Sequence, residues 1–524
     1  MQRFEGRRLS WPRVVIVVIV IAVVVAGSLL MWGRQQDSAK ASATGRWFGA
    51  YIDATSTPFY PIGDDVGSGE RVVLGFAVAD PEQPCTPSWG TFYTMDGAAE
   101  TFDLDRRTAR VRESGGEVVV STGGFLNDEL ATACTDPAAL EAAYADLLDR
   151  YESHTLDLDV EGDDLTSAQG GERRAAAMKA LQAERATQDE PLEVWLTLPV
   201  ATGGLTADGL AEVRRMLEAD VDVSVNLMTM NFGQTRGAGQ SMADASIQAA
   251  RSTHAQLASL YSDVGRGIGE QTLWSHMGIT PMIGQNDLVG ERFTLDDAAE
   301  VNRFAVETGL GRVSMWSANR DDNCGANFPD LTRVSNNCSG VKQDPGAFAS
   351  ALAADIGSAS PSSEAARPSE VEAAQATAIV DDPATSPYPI WNEEAAYTKG
   401  DRSVWRGNVY EAKWWNQDEV PDAPVGDSGT APWSLVGPVL PGDRPEPKAS
   451  VPAGLYPKWS AKTVYTKGDR VLFDGRILEA KWWNQAASPE AVLQGSPESP
   501  WKTFTNAETR SIVERAAQAK NPGK

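Results

Sequence analysis

Eight short runs rich in β-branched residues alternate with helix-like stretches between residues 47 and 356, and this alternation limits the fold more than any other feature. The strand candidates are Trp47–Asp53, Arg71–Val78, Glu117–Ser121, Thr155–Glu161, Leu192–Pro199, Val221–Met230, Thr272–Ile283 and Arg312–Ser317. Between them lie Ala-, Glu- and Leu-rich segments with helical spacing: Ala138–Tyr151, Gly171–Thr187, Ala207–Glu218, Met242–Ser262 and Leu295–Thr308. The pattern predicts an α/β fold, a (β/α)8 TIM barrel over residues 45–356. An open doubly wound sheet is the rival, but no Gly-x-Gly-x-x-Gly follows the first strand.

Beyond the barrel the composition changes. Residues 357–386 are rich in Ala, Ser, Pro and Glu, which is linker composition. An internal repeat follows. Trp391, Tyr397-Thr398-Lys399-Gly400-Asp401-Arg402, Glu411-Ala412-Lys413-Trp414-Trp415-Asn416-Gln417 and Trp433 recur as Trp459, Tyr465-Thr466-Lys467-Gly468-Asp469-Arg470, Glu479-Ala480-Lys481-Trp482-Trp483-Asn484-Gln485 and Trp501. A constant offset relates the copies, so this is a duplication of a small all-β module, at 387–436 and 455–505. A proline-rich linker, 437–454, separates them, and 506–524 form a C-terminal tail.

The N-terminus reads as an export signal. Basic residues (Arg3, Arg7, Arg8, Arg13) precede an apolar run from Val14 to Met31, close to the ~20 residues needed to cross a bilayer. Residues 1–13 are expected to be cytoplasmic and 14–33 a single-pass transmembrane anchor, with the rest on the extracellular face of the cell membrane. A cleaved signal peptide and a secreted protein is the alternative. Export allows Cys85, Cys134, Cys324 and Cys338 to form two disulfides, for which three pairings exist. Cys324–Cys338, a short loop, is favoured, with Cys85–Cys134 as the other bridge. These cysteines and the three histidines lack zinc-site spacing, so neither metal nor cofactor is expected. A net charge of -26 disfavours nucleic acid and fits a neutral partner such as an uncharged polysaccharide.

The chemistry is concentrated in Leu156-Asp157-Leu158-Asp159-Val160-Glu161. On a strand, Asp157, Asp159 and Glu161 face one way, and the three apolar residues face the other. Carboxylates this close force at least one to keep its proton at neutral pH, as a general acid must.

This segment resembles the Asp-x-Asp-x-Glu of glycoside hydrolase family 18. Ser121-Thr122-Gly123-Gly124 resembles the family's Ser-x-Gly-Gly, Met228-Thr229-Met230-Asn231-Phe232-Gly233 its Met-x-Tyr-Asp, and Met315-Trp316-Ser317 its eighth-strand tryptophan. The resemblance implies a chitinase that cuts β-1,4 bonds between N-acetylglucosamine units by a substrate-assisted, retaining mechanism. Glu161 would be the proton donor, Asp159 would orient the acetamido group, and Asp157 would tune their protonation. Trp316 would floor the reacting subsite, with Asn231 and Met228 as further substrate-binding candidates; Tyr51, Gln285 and Trp195 are weaker ones, named only for their place at or near strand ends. Asn231 departs from the family's aspartate, and no tyrosine hydroxyl is present beside it.

The repeats resemble carbohydrate-binding module family 5/12, which implies chitin or chitin oligosaccharides as partner. Trp414, Trp415, Trp433, Trp482, Trp483 and Trp501 are the candidate binding residues, with one tryptophan of each adjacent pair expected in the core and its neighbour exposed. The alternatives are an endo-β-N-acetylglucosaminidase on other glycans and a non-catalytic surface lectin. A monomer is expected.

Overall fold

The structure, a computed structural model, describes residues 45–63, 70–326, 328, 330–356, 381–422, 431–445, 450–493, 499–504, 509–513 and 515–516. The anchor and most of the first linker lie outside the described residues; among those described, no helix is long and apolar enough to cross a membrane. The chain divides into two compact units, Met1–Glu364 and Ala365–Lys524, each described by itself.

In the first unit, eight parallel strands close on themselves: β1 (Trp47–Asp53), β2 (Arg71–Ala79), β3 (Glu117–Gly123), β4 (Thr155–Asp159), β5 (Glu193–Ala201), β6 (Val223–Thr229), β7 (Met277–Pro281) and β8 (Arg312–Met315). Each pairs with its sequence neighbours, and β1 pairs with both β2 and β8, which seals the barrel. The expected TIM barrel is therefore present. Helices cover its outside, and local chemistry sets their ends. Asp136 caps Pro137–Arg150, and proline occupies the first position, where its missing N–H costs nothing. Thr294 and Asp297 form a capping box on Leu295–Thr308, which Gly309 ends in the left-handed conformation.

Most element ends lie one to three residues from the sequence reading, and two differences bear on the site or the barrel. The strand expected over 272–283 is a short helix, Glu270–Ser275, followed by β7. Leu273 and Trp274 are buried like the strand that follows, and two adjacent apolar residues do not distinguish helix from strand. The acidic strand ends at Asp159, and Glu161, still extended, caps Gly162–Thr166. The β2–β3 connection also holds two helices, Met95–Phe102 and Leu104–Glu113.

Strand alternation sorts the barrel into two cores. Leu156, Leu158 and Val160 join the large core between strands and helices. The interior is smaller and aromatic: Trp47, Tyr51, Val73, Val119 and Trp195, with Phe76 and Trp316 against them. Both favoured disulfides are present. Cys85–Cys134 ties the loop after β2 to the loop after β3, and Cys324–Cys338 closes a loop after β8.

In the second unit, both repeats fold alike. Arg402–Trp405, Asn408–Ala412 and Trp433–Pro438 form a three-stranded antiparallel sheet, as do Arg470–Phe473, Arg476–Ala480 and Trp501–Lys502. The shared Tyr-x-x-Gly-Asp element is a turn. Asp401 accepts from the Thr398 backbone and hydroxyl, and Gly400, at φ +90°, donates its N–H to Ala412. Asp469, Thr466 and Gly468 repeat these bonds in the second copy.

Candidate active site

The site is built where β3, β4, β6, β7 and β8 end. Gly123 and Gly124 permit the approach of β3 to β4: both have positive φ, and a Cβ on Gly123 would lie 2.1 Å from the Asp159 carbonyl oxygen. That carbonyl accepts from Gly124 N at 2.9 Å. Glycine is required there because no side chain fits.

The three carboxyls have three different surroundings. Asp157 is fully buried and saturated. Tyr51 and Ser121 donate to its Oδ2 at 2.7 and 2.6 Å, and Thr197 donates to Oδ1 at 2.6 Å. Arg312, itself fully buried, pairs with the same Oδ1. The guanidinium lies over the rings of Trp47, Tyr51 and Trp195. Space for it comes from Gly278, where a Cβ would sit 2.9 Å from Arg312 Cβ. A guanidinium and three neutral donors compensate the burial of this carboxyl group.

Asp159, one step up the same face, is buried with no partner for Oδ1 among the described residues. Burial pushes its carboxyl well above the usual range; the charges of Glu161 and Asp157 add to this, and Arg312 opposes it. Glu161, at the mouth, is pushed up to about 7, by burial first and by Asp287 second. The arrangement is graded from a fully paired carboxyl through an unpartnered buried acid to a rim acid that holds its proton near neutrality. Such a rim acid can donate a proton and take one back.

The remaining candidates separate. Trp316 is half-buried and stacks on Phe76 at 5.4 Å, so two rings line the mouth beside the carboxyls. Met228 is half-buried on β6, in register with Thr280 of β7. Asn231 is exposed, with φ +52°, and is bonded to Asp287 of the loop after β7. Tyr51 belongs to the support of Asp157 rather than to a substrate surface, because its hydroxyl is buried against that carboxylate. Gln285 is corrected outright: it is buried, and its amide donates to the carbonyls of Asn286, Leu288 and Glu291, so it braces the β7 loop. Trp195 is interior packing, with its N–H on Glu193.

Sequence reasoning did not find Arg312, Phe76 or Asp287. For Arg312 a signal existed: it shares parity with Trp316, the residue just past β8, so it faces the carboxyls of β4.

In the repeats, both members of each tryptophan pair are exposed: Trp414 43%, Trp415 51%, Trp482 48% and Trp483 63%. The expectation of one buried and one exposed ring is therefore wrong. Trp433 and Trp501 are corrected in the other direction. They are the core, packed edge-on against Tyr397 and Tyr465 at 4.8 and 4.9 Å, with their indole N–H groups on backbone carbonyls. These two rings satisfy the small module's need for a core, which frees both rings of each pair.

The probable bifunctional chitinase/lysozyme of Escherichia coli (strain K12) is 33% identical over 262 residues, 49% of this chain and 28% of that protein. Endochitinase 11 of Metarhizium anisopliae is 32% identical over 256 residues, 47% of each. The chain thus spans less than half the length of these relatives. The crystal structure of the catalytic domain of the hyperthermophilic chitinase from Pyrococcus furiosus superposes with TM-score 0.50 at 25% identity, covering 59% of this chain and 96% of that one.

The barrel is chitinase-like.

Residues 458–502 match carbohydrate-binding module family 5/12, so the second repeat carries a recognised module. The chitinase-like barrel and this module occupy the two units found in the structure.

Proposed function

We propose that the protein hydrolyses β-1,4 bonds between N-acetylglucosamine units of chitin, with Glu161 as the catalytic acid and base. The observation that carries this reading is Glu161 itself: a rim carboxyl pushed up to about 7, next to a buried Asp159 with an unpartnered oxygen. Glu161 donates its proton to the glycosidic oxygen as the bond from that oxygen to the anomeric carbon breaks. The acetamido oxygen of the same sugar attacks the anomeric carbon from the opposite face and forms an oxazolinium ion, one of the known departures from the two-carboxylate scheme. Asp159 accepts the acetamido N–H with its free oxygen and stabilises the positive charge that develops. Asp157, held by Arg312, supplies fixed negative charge beneath. A water then attacks the anomeric carbon, gives its proton to Glu161 and opens the ring, so configuration is retained. Trp316, backed by Phe76, offers a flat apolar face to the reacting sugar.

The exposed pairs Trp414/Trp415 and Trp482/Trp483 suit stacking on neutral pyranose faces, and two linked modules raise avidity. The first repeat has the same strand layout and the same turn as the second, which supports chitin binding by both. Residues 1–33 and the two disulfides support placement outside the cell, on a single-pass anchor or after cleavage of a signal peptide.

The test is proton NMR of a chitin oligosaccharide digest during the first minutes. The expected product is the β-anomer, formed by retention. Initial α-anomer would exclude this mechanism, and cleavage of N-glycans without cleavage of chitin oligosaccharides would replace the substrate.

A further inference from the structure

A buried polar network joins the loop after β3 to the helices Ala168–Thr187 and Ala207–Glu218, and the proposed hydrolysis makes no use of it. Glu129, Arg174 and Glu212 are all fully buried. Arg174 donates to Glu129 Oε2 through Nη2 at 2.9 Å and through Nε at 3.2 Å, and its Nη1 pairs with Glu212. Ala131 N donates to the same Glu129 oxygen at 2.8 Å, and Tyr144 donates to the other. Arg173 fastens the next residues by donating to the carbonyls of Ala131 and Thr132 at 2.9 and 3.1 Å. Cys134, which ends the short helix Leu130–Ala133, adds the disulfide to Cys85. The loop that carries Glu129 is therefore fixed from several sides.

Glu129 meets the acidic strand's end at two points. Its side chain lies beside Gly123, where a Cβ would stand 3.2 Å from Glu129 Cγ. Its backbone N–H donates to Asp164 Oδ2 at 3.0 Å, in a bond buried from water. Asp164, only 6% exposed, belongs to Gly162–Thr166, the helix that Glu161 caps. Leu165 N closes that turn onto Glu161 O at 3.2 Å. On the other side of Glu161, Val160 N donates to Thr197 O of β5 at 3.0 Å. Glu161 makes no side-chain bond to the helix it caps, so the backbone sets its place. Five residues are too few to hold a helical turn by themselves. We propose that Asp164 is a positioning residue for Glu161: by accepting from Glu129 N, it ties the turn that starts at Glu161 to the fixed loop after β3. This rests on Glu161 being the proton donor. The acid is then held between two anchors, β5 one residue before it and Glu129 through Asp164 three residues after it.

The test uses the full chain with Asp164→Ala and Asp164→Asn, each also placed in a Glu161→Gln background. Glu129 is left intact, because its loss would strand Arg174 in the interior and risk the fold. Two quantities are read: kcat and KM on a chitin oligosaccharide, and deuterium uptake by the backbone of residues 161–166. Asp164→Ala frees the turn, so uptake there should rise while β3 and β4 keep the parent's protection. A displacement of about 1 Å in a group that must reach a proton acceptor costs on the order of a hundredfold in rate. Asp164→Ala should therefore lower kcat by about tenfold or more, with KM within a few fold of the parent. Asparagine cannot ionise but can still accept from Glu129 N, so Asp164→Asn should stay near the parent in both readings. With Glu161→Gln there is no proton left to place, and adding Asp164→Ala should change the residual rate little. The proposal is overturned if Asp164→Ala leaves the uptake of 161–166 unchanged, or if Asp164→Asn matches Asp164→Ala. It is overturned as well if Asp164→Ala costs the same factor in both backgrounds. A parent without turnover would sink the hydrolase reading, while the exchange comparison would still decide whether this bond holds the turn.

Discussion

The barrel and the repeats treat tryptophan in opposite ways. Trp47 and Trp195 lie inside the barrel, packed edge-on at 5.7 Å around a buried guanidinium, whereas the Trp-Trp pairs of the repeats stand in solvent. The difference follows from what each unit must hold. A closed barrel has an interior that side chains must fill, and aromatic rings around Arg312 let it hold Asp157 as an anion. What remains chemically available is at the top of that stack, Asp159 and Glu161. In each module an aromatic pair, Tyr397 with Trp433 or Tyr465 with Trp501, packs in the core, with Tyr410 beside the first pair and Trp391, Trp405, Trp459 and Phe473 against the two cores, while the Trp-Trp pairs remain outside. On the proposed function, the barrel works through polar groups left without partners and the repeats through apolar groups left without cover.

The sharpest way to break this comparison is to remove the charge that the barrel holds. Replacing Asp157 by Ala strands Arg312 in an apolar interior, and should cost roughly 3–5 kcal/mol of barrel stability. Calorimetry should show the barrel transition moving down while the transition of the repeats stays put. Replacing Asp159 by Asn changes a side chain with a free oxygen, and should leave melting near the parent value while lowering the rate by orders of magnitude. If both variants melt alike, the distinction drawn between the two carboxyls fails.

A matching pair of substitutions applies to the second repeat. Trp501→Ala should cost about 3–5 kcal/mol by emptying the core. Trp483→Ala should cost almost nothing in stability but weaken chitin binding by about tenfold, taking about 1.4 kcal/mol for the lost stacking. Binding isotherms on insoluble chitin, beside melting curves, separate the two. Equal loss of binding with no loss of stability in Trp501→Ala would put that ring back on the surface.

The smallest expected effect concerns pH. Glu161 has a folded value raised from 4.5 to about 7, so the unfolded chain ionises it first as pH rises. The stability linked to its proton is complete below about 4.5 and is lost as pH climbs through about 7. Glu161→Gln removes that loss, so its melting temperature relative to the parent should be higher at pH 8 than at pH 4, by a few degrees. A difference that does not change with pH would mean Glu161 is not held protonated.

Much of the fold was legible because period and parity are local. Residues 207–218 and 295–308 carry complete helical signals and were placed to the residue. Residues 272–283 misled because the helix that carries buried Leu273 and Trp274 is followed by a buried strand with one residue between. The acidic face of β4 was legible from alternation alone. Its counterion was not, since Arg312 stands 155 residues away and meets Asp157 only when the barrel closes. Gln285 misled for a related reason: a polar residue near a strand end looks available until the loop above it is seen to take its amide. Trp433 and Trp501 misled because one indole serves a sugar or a core equally well, and which of the two it does depends on the rings around it.

Hydrolysis as proposed depends above all on Glu161 carrying the proton. The most direct measurement compares the parent and Glu161→Gln on a chitin oligosaccharide, with binding to the same ligand read by calorimetry. The prediction is a rate loss of at least about a hundredfold with affinity kept within a few fold. Full turnover in the glutamine variant, or no turnover in a parent that binds, would contradict it.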